Sequence, residues 1–301
     1  MSQSVDAIRA TTGWLSERPS SLVANGLVTD DEVVIVAGRT GRRYFHDLWR
    51  YRELFLFLAW RDLLVRYKQT VVGVGWSILR PLLTMLILTV VFGKFGKMPS
   101  GGAPYPLLVF CGLLPWTFFA TALSESGNSL VANSSLISKV YFPRLIIPAS
   151  SVIISLVDFL ISLAFLGILL IWYGFVPPRT IALLPVFALL AFVAAFAVGI
   201  WVAALMIRYR DFRFIVQFAV QFGLYISPVG FFSQVVPEKW RLLYSLNPMV
   251  GVIDGFRWSI LGGPNVIYWP GLALSVVTIF LMLLTGIWYF RTTEQTFADV
   301  I

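Results

Sequence analysis

Long apolar runs, separated by short clusters of charge, set the pattern of this chain. A bilayer core about 30 Å thick takes about 20 mostly apolar helical residues. Six such runs occur, at roughly residues 72–95, 105–123, 146–173, 181–207, 214–232 and 269–290. The first is interrupted by Arg80 and Lys94, the third by Asp158, and the fourth carries no charge. Membrane β-strands would be shorter and would alternate in polarity, which these runs do not. The pattern predicts an all-α membrane protein with six transmembrane helices.

The stretches between the runs divide the rest of the chain. Residues 1–45 are a polar tail, in which Asp30, Asp31 and Glu32 precede a β-prone run at 33–36; a short strand and an unstructured tail both remain open. The tail has no basic-then-apolar leader, so insertion is expected to rely on the spans themselves. Residues 46–70 hold an apolar centre at 54–60 that is too short to span, between charges at Arg50, Arg52 and Glu53 and at Arg61, Asp62, Arg66 and Lys68. This predicts a helix or helix pair at the cytoplasmic interface, with Trp49, Tyr51, Trp60 and Tyr67 at headgroup level. The plainer alternative is a basic flank of the first span. The six-span domain covers 71–291, and 292–301 form a C-terminal tail. Between the fifth and sixth runs, residues 249–261 are too short and, with Asp254 and Arg257, too charged for a seventh span. Short re-entrant helices in the outer leaflet are expected there, with a simple extracellular cap as the alternative.

Composition agrees with this division. Hydrophobic residues make up 58% and charged residues 13%, against about 45–50% and about 25% in soluble domains. The net charge of +8 lies between the runs rather than in one patch, so no nucleic-acid partner is expected. Most lysines and arginines fall before the first run or at Lys139, Arg144, Arg208, Arg210, Arg213 and Arg291, all on one side of a six-span topology. By the positive-inside rule both termini are expected in the cytoplasm.

Catalytic chemistry is sparse. With one Cys and one His, no intrachain disulfide and no metal site are expected. Gly93-Lys94 and Gly96-Lys97 lack the Ser or Thr that completes a phosphate-binding loop. No G-x-S-x-G elbow occurs, and the acidic residues are isolated rather than paired. No covalent catalysis is expected of this chain. Asp158, costing roughly 2.5–3.5 kcal/mol at mid-membrane, reads either as a proton relay or as a structural acid paired with a neighbouring helix. One buried acid is thin support for ion coupling, which points to an outside source of energy.

Aromatic residues are abundant, with 25 Phe, 11 Trp and 11 Tyr. Several sit within spans: Trp76 and Phe92 in the first, Trp116, Phe118 and Phe119 in the second, Phe218, Phe222 and Tyr225 in the fifth. Such a set could line a path for sugar rings, whose C–H faces stack on aromatics; ordinary helix packing is the alternative for each one. The fourth run, rich in Ala with Gly199, is expected to pack tightly as a scaffold.

Specific motifs go further. Trp60-Arg61-Asp62, Arg66-Tyr67-Lys68-Gln69-Thr70, Gly73, Trp76 and Arg80-Pro81 open the series. Gly112-Leu113-Leu114-Pro115-Trp116 follows, then Ile137-Ser138-Lys139-Val140-Tyr141-Phe142-Pro143-Arg144 with Ile147-Pro148. Tyr209-Arg210-Asp211-Phe212, Ser227-Pro228-Val229 and Asn247-Pro248 complete it. In this order the motifs resemble the permease domain of type-2 ABC exporters of polysaccharides over residues 48–290. The nearest look-alikes are O-antigen/lipopolysaccharide export permeases, with capsule and teichoic-acid permeases as cousins.

The resemblance implies a homodimer in the bacterial inner membrane with two copies of a separate ATPase, which would carry ATP and Mg; no cofactor is expected in this chain. It implies that Ser138, Lys139, Val140, Tyr141, Phe142, Pro143 and Arg144 form the coupling segment, with Tyr209, Arg210 and Asp211 as a second cytoplasmic contact. The expected substrate is a polyprenyl-pyrophosphate-linked glycan. Its headgroup would meet Arg61, Arg66, Lys68 and Arg80, since guanidinium groups pair bidentately with phosphate. Its sugars would pass the aromatics named above. Ser227, Pro228, Phe231, Asn247 and Pro248 would gate the outer exit. A drug or small-lipid exporter permease is the reading that would need neither the interface segment nor the aromatic set.

Overall fold

The computed structural model describes residues 46, 48–68, 75–263, 267–294 and 297, all within one compact unit spanning residues 46–301. The β-prone run at 33–36 lies outside the described residues, as do 69–74. Among the described residues all regular structure is helical. Helix α1 is Arg52–Lys68, with Glu53 in its first turn and Arg66 and Lys68 in its last, each charge complementing the helix dipole. Helix α2, Gly75–Leu88, continues as a π-helical segment, Thr89–Phe95. Then come α3 (Tyr105–Ala132), the short α4 (Ser134–Lys139), α5 (Ile146–Trp172) and α6 (Leu184–Arg208). Helices α7 (Phe212–Ile226), α8 (Glu238–Tyr244), α9 (Pro248–Leu261) and α10 (Trp269–Thr293) complete the order.

Five of these stretches are long and apolar enough to cross a membrane: Gly75–Phe95, Tyr105–Ala132, Ile146–Trp172, Arg179–Arg208 and Trp269–Thr293. They coincide with five of the six expected runs. The fifth run differs. Its helix stops at Ile226, after 15 residues, because Pro228 holds the preceding Ser227 in an extended conformation (φ −76°, ψ 152°). At about 1.5 Å per residue α7 is roughly 22 Å long, short of a full crossing. Residues 249–261 are helical, within α9, which the shorter α8 precedes.

Helix α3 is the axis of the bundle. It packs against α2, α5, α6, α7 and α9 and buries 83% of its most apolar stretch, whereas the other four long helices bury between 17% and 33%. Small residues bring α3 and α6 close. A Cβ at Gly127 would lie 2.8 Å from Val202, and one at Gly199 would lie 2.9 Å from the Ser126 hydroxyl. Ala191, Ala195 and Ala203 on α6 are fully buried, so the alanine-rich face of α6 packs closely.

Candidate functional site

On the face where α1 meets the bundle, one acid gathers three donors. Asp158 on α5 pairs with Arg66 (Oδ2 to Nη2, 2.7 Å). It also accepts from the Tyr67 hydroxyl at 2.5 Å and the Ser77 hydroxyl at 2.6 Å. Arg66 reaches Glu125 on α3 as well, at 3.1 Å. Asp158 is thus a paired acid in this structure, its charge compensated rather than bare. Burial, and then the Asp158 hydrogen bond, push the Tyr67 phenol above its ordinary value, which keeps it a donor. Arg61 bonds Asp62 and donates to the Asn133 side-chain oxygen at 2.9 Å. Lys68 and Arg80 are exposed. The structure therefore brings Arg61 and Arg66 onto one helix facing α3 and α5, each already in contact with a neighbour.

The segment after α3 splits into two halves. Ser138, Lys139, Val140 and Tyr141 are exposed, while Phe142 and Pro143 are buried. Arg144 anchors the buried half. Its backbone N–H donates to the Glu294 carboxylate at 2.7 Å, its guanidinium donates to the Glu294 carbonyl, and it lies over the Phe297 ring at 5.9 Å. A compact protrusion is thus presented by residues 138–141 and held by residues 142–144. Tyr209, Arg210 and Asp211, between α6 and α7, are also exposed, at the end of the bundle that carries this protrusion. Among the described residues no group of three or more His, Cys, Asp or Glu comes together.

The aromatics divide. Trp116, Phe118 and Phe119 are buried, with Phe118 against Phe159 (5.3 Å) and Phe192 (6.4 Å). Trp116 fills the gap over Gly223, where a Cβ would come within 2.4 Å of the indole. These three are core side chains of the chain as described. By contrast Phe218, Phe222 and Tyr225 on α7 are exposed, Phe218 and Phe222 lying 4.1 Å apart between ring centroids. Val216 is the one buried residue of α7. Trp76 is exposed at the start of α2, and Phe92 is half-buried against Phe231.

Beyond α7 the chain is tied down. The Asn247 amide donates to the Ser227 hydroxyl, and its side-chain oxygen caps α9 through the Met249 N–H, each at 3.0 Å. Tyr105 donates to the Gly230 carbonyl. At the centre sits Arg257, which is 1% exposed. Its guanidinium donates to the carbonyls of Leu108 (3.2 Å), Phe231 (2.9 Å), Pro228 (2.9 Å) and Val229 (2.8 Å), and it lies over the Phe232 ring. Gly112 makes room for it: a Cβ there would meet the guanidinium at 2.4 Å. In the sequence Arg257 stands out only as a charge that, with Asp254, keeps 249–261 from spanning; a glycine inside a span, Gly112, is the one sign of the space it needs. Glu125, Asn133, Ser77 and Glu294 escaped notice, because only folding puts them beside a cation.

Comparison with known proteins matches this architecture. Residues 53–261, more than half of the chain, fit the family of ABC-2 type transporters. An O-antigen export system permease protein RfbA of Klebsiella pneumoniae is 28% identical over 83% of this chain and 95% of its own length. Its namesake in Myxococcus xanthus is 29% identical over 86% of this chain and 99% of its own length. The polysialic acid transport protein KpsM of Escherichia coli is 24% identical over 80% and 92%. The matched region begins inside α1 and ends with α9, so it takes in the Asp158 cluster, the protrusion and the Arg257 knot together. A helical bundle with those features, matched over that span, belongs to the ABC-2 type transporter family.

Proposed function

We propose that this chain is the membrane-spanning permease of an ATP-driven exporter that carries a polyprenyl-pyrophosphate-linked glycan of the O-antigen type outward across a bacterial inner membrane. In this reading α7 is the fifth, shortened span of six, both termini are cytoplasmic, and α1 lies at the cytoplasmic interface. The protein works as a homodimer with two ATPase subunits, which bind ATP and Mg. Residues 138–141 seat in the ATPase, and Tyr209–Asp211 form a smaller contact.

The observation that carries the reading is α7. Phe214, Phe218 and Phe222 recur every fourth residue, joined by Tyr225, on a helix the chain leaves uncovered. Four-residue spacing puts them on one face. A second copy would cover part of that face, and the remainder would be an aromatic wall for sugars in transit. The relatives named for O-antigen export support this substrate class over others. The KpsM relative gives a capsular polysaccharide as the second reading, with the same architecture and a different glycan.

The test is reconstitution. The permease and its ATPase, purified as one complex in proteoliposomes, should move a polyprenyl-pyrophosphate-linked glycan to the lumen with ATP. A permease that binds no ATPase, or a complex that exports small drugs but no glycan, would sink the proposal.

A further inference from the structure

Asn133 occupies the break between α3 and α4, closing one helix and opening the next. At the start of a helix an asparagine ordinarily caps, its side-chain oxygen accepting from a first-turn N–H. Here no such cap forms. The oxygen is taken instead by the Arg61 guanidinium of α1, at 2.9 Å, while the amide nitrogen is held by the Ser129 carbonyl at 2.8 Å. Asn133 is therefore held by an arginine on the interface helix, with its backbone set away from the capping geometry at the N-terminus of the helix that leads into the exposed 138–141 protrusion.

Arg61 has unequal partners. Asp62 rides on the same helix and is charged, at 2.6 Å. Asn133 is neutral and belongs to another element. A phosphate or diphosphate reaching the 39%-exposed Arg61 side chain brings charged acceptors, roughly twice as strong as neutral ones. The Asn133 contact is thus the one given up. Its backbone stands at φ −104°, ψ 24°, outside the extended region usual for a capping residue, so forming the cap turns ψ by on the order of 100°. That rotation swings α4, and Lys139 and Tyr141 with it, relative to α3.

We propose that Asn133 is the positioning residue by which occupation of the headgroup site on α1 is reported to the coupling segment: diphosphate takes Arg61, and the released Asn133 caps and reorients α4. This rests on α1 being the headgroup segment, and the experiment separates the two claims. The permease–ATPase complex goes into nanodiscs of phosphatidylethanolamine and phosphatidylglycerol, with or without undecaprenyl diphosphate. Retained diphosphate, ATP turnover, and a fluorophore on Tyr141→Cys in a Cys111→Ser background are measured. Diphosphate should raise turnover at least about fivefold and shift the fluorescence. Asn133→Ala, which can neither hold Arg61 nor cap, should retain as much diphosphate yet lose both responses. Asn133→Ser, which caps well but is too short to hold Arg61, should show high turnover without diphosphate, and Arg61→Ala should do the same. An Asn133→Ala protein that still responds, or an Asn133→Ser protein that behaves like the parent, overturns the inference. A parent that retains no diphosphate overturns the headgroup reading itself, and the inference with it.

Discussion

Two charges within the helical bundle of this protein are satisfied in opposite ways. Arg257 is held by backbone: its guanidinium meets the carbonyls of Leu108, Pro228, Val229 and Phe231. Asp158 is held by side chains, from Arg66, Tyr67 and Ser77 on two other helices. Backbone carbonyls move only if the chain moves, so Arg257 fixes the segment after α7 against α3 as one rigid piece. Side chains can exchange partners. Arg66 already divides itself between Asp158 and Glu125, and its side chain keeps 32% exposure. The contrast separates a permanent joint from a contact that substrate can reach.

Breaking the permanent joint should cost most. Arg257→Met removes all four donations and leaves both those carbonyls and the Asp254 carboxylate on the same helix without their cation, a loss of about 3–5 kcal/mol. Thermal unfolding of the detergent-solubilised protein, followed by tryptophan fluorescence, measures it. Arg257→Lys should recover little, because an ammonium is a point charge and cannot span carbonyls on two segments. A lysine variant as stable as the parent would show that charge alone matters there, not the fork.

Gly112→Ala attacks the same joint from the opposite side and should cost about 1–3 kcal/mol through overpacking. The added methyl competes with the guanidinium for one place. In the Arg257→Met background its cost should shrink, and the double-mutant cycle should be strongly non-additive. Additive losses would mean that Gly112 serves helix packing alone.

Asp158→Asn should be milder, at about 1–2 kcal/mol, since an amide can still accept from Tyr67 and Ser77 while the ion pair with Arg66 is lost. Transport by the energised complex should persist, and collapsing a pH gradient should not change it. Abolished transport with intact folding would restore Asp158 as a proton carrier and undo the contrast with Arg257.

What could be read before folding follows the same division. Continuous apolar runs announced six spans, and five of them fold as helices long enough to cross, because twenty apolar residues need no partner to declare themselves. The protrusion at 138–144 was legible as a motif. Its division into an exposed half and a half anchored on Glu294 was not, since that contact joins residues 150 positions apart. The aromatics showed the limit most clearly. Phe118 and Phe218 look alike in the sequence, but burial depends on what lies across from each face, and α3 is surrounded where α7 is bare. Likewise Arg257 announced only its cost, because the carbonyls that hold it belong to segments whose position no periodicity encodes.

The bare face of α7 gives the smallest expected effect on folding and sharpens the comparison from outside it. Phe218→Ala and Phe222→Ala delete rings that are 61% and 49% exposed, so each should change the stability of the single chain by no more than about 0.5 kcal/mol. If α7 faces a second copy and the glycan path, the same substitutions should weaken the dimer in light scattering or slow glycan export, with folding unchanged. Phe118→Ala should do the reverse: about 3–5 kcal/mol of stability lost, and no defect in export beyond that of less folded protein. Joint measurement of stability and export then assigns each aromatic to core or conduit. A Phe222→Ala variant normal in folding, dimerisation and export would leave the exposed face of α7 to lipid.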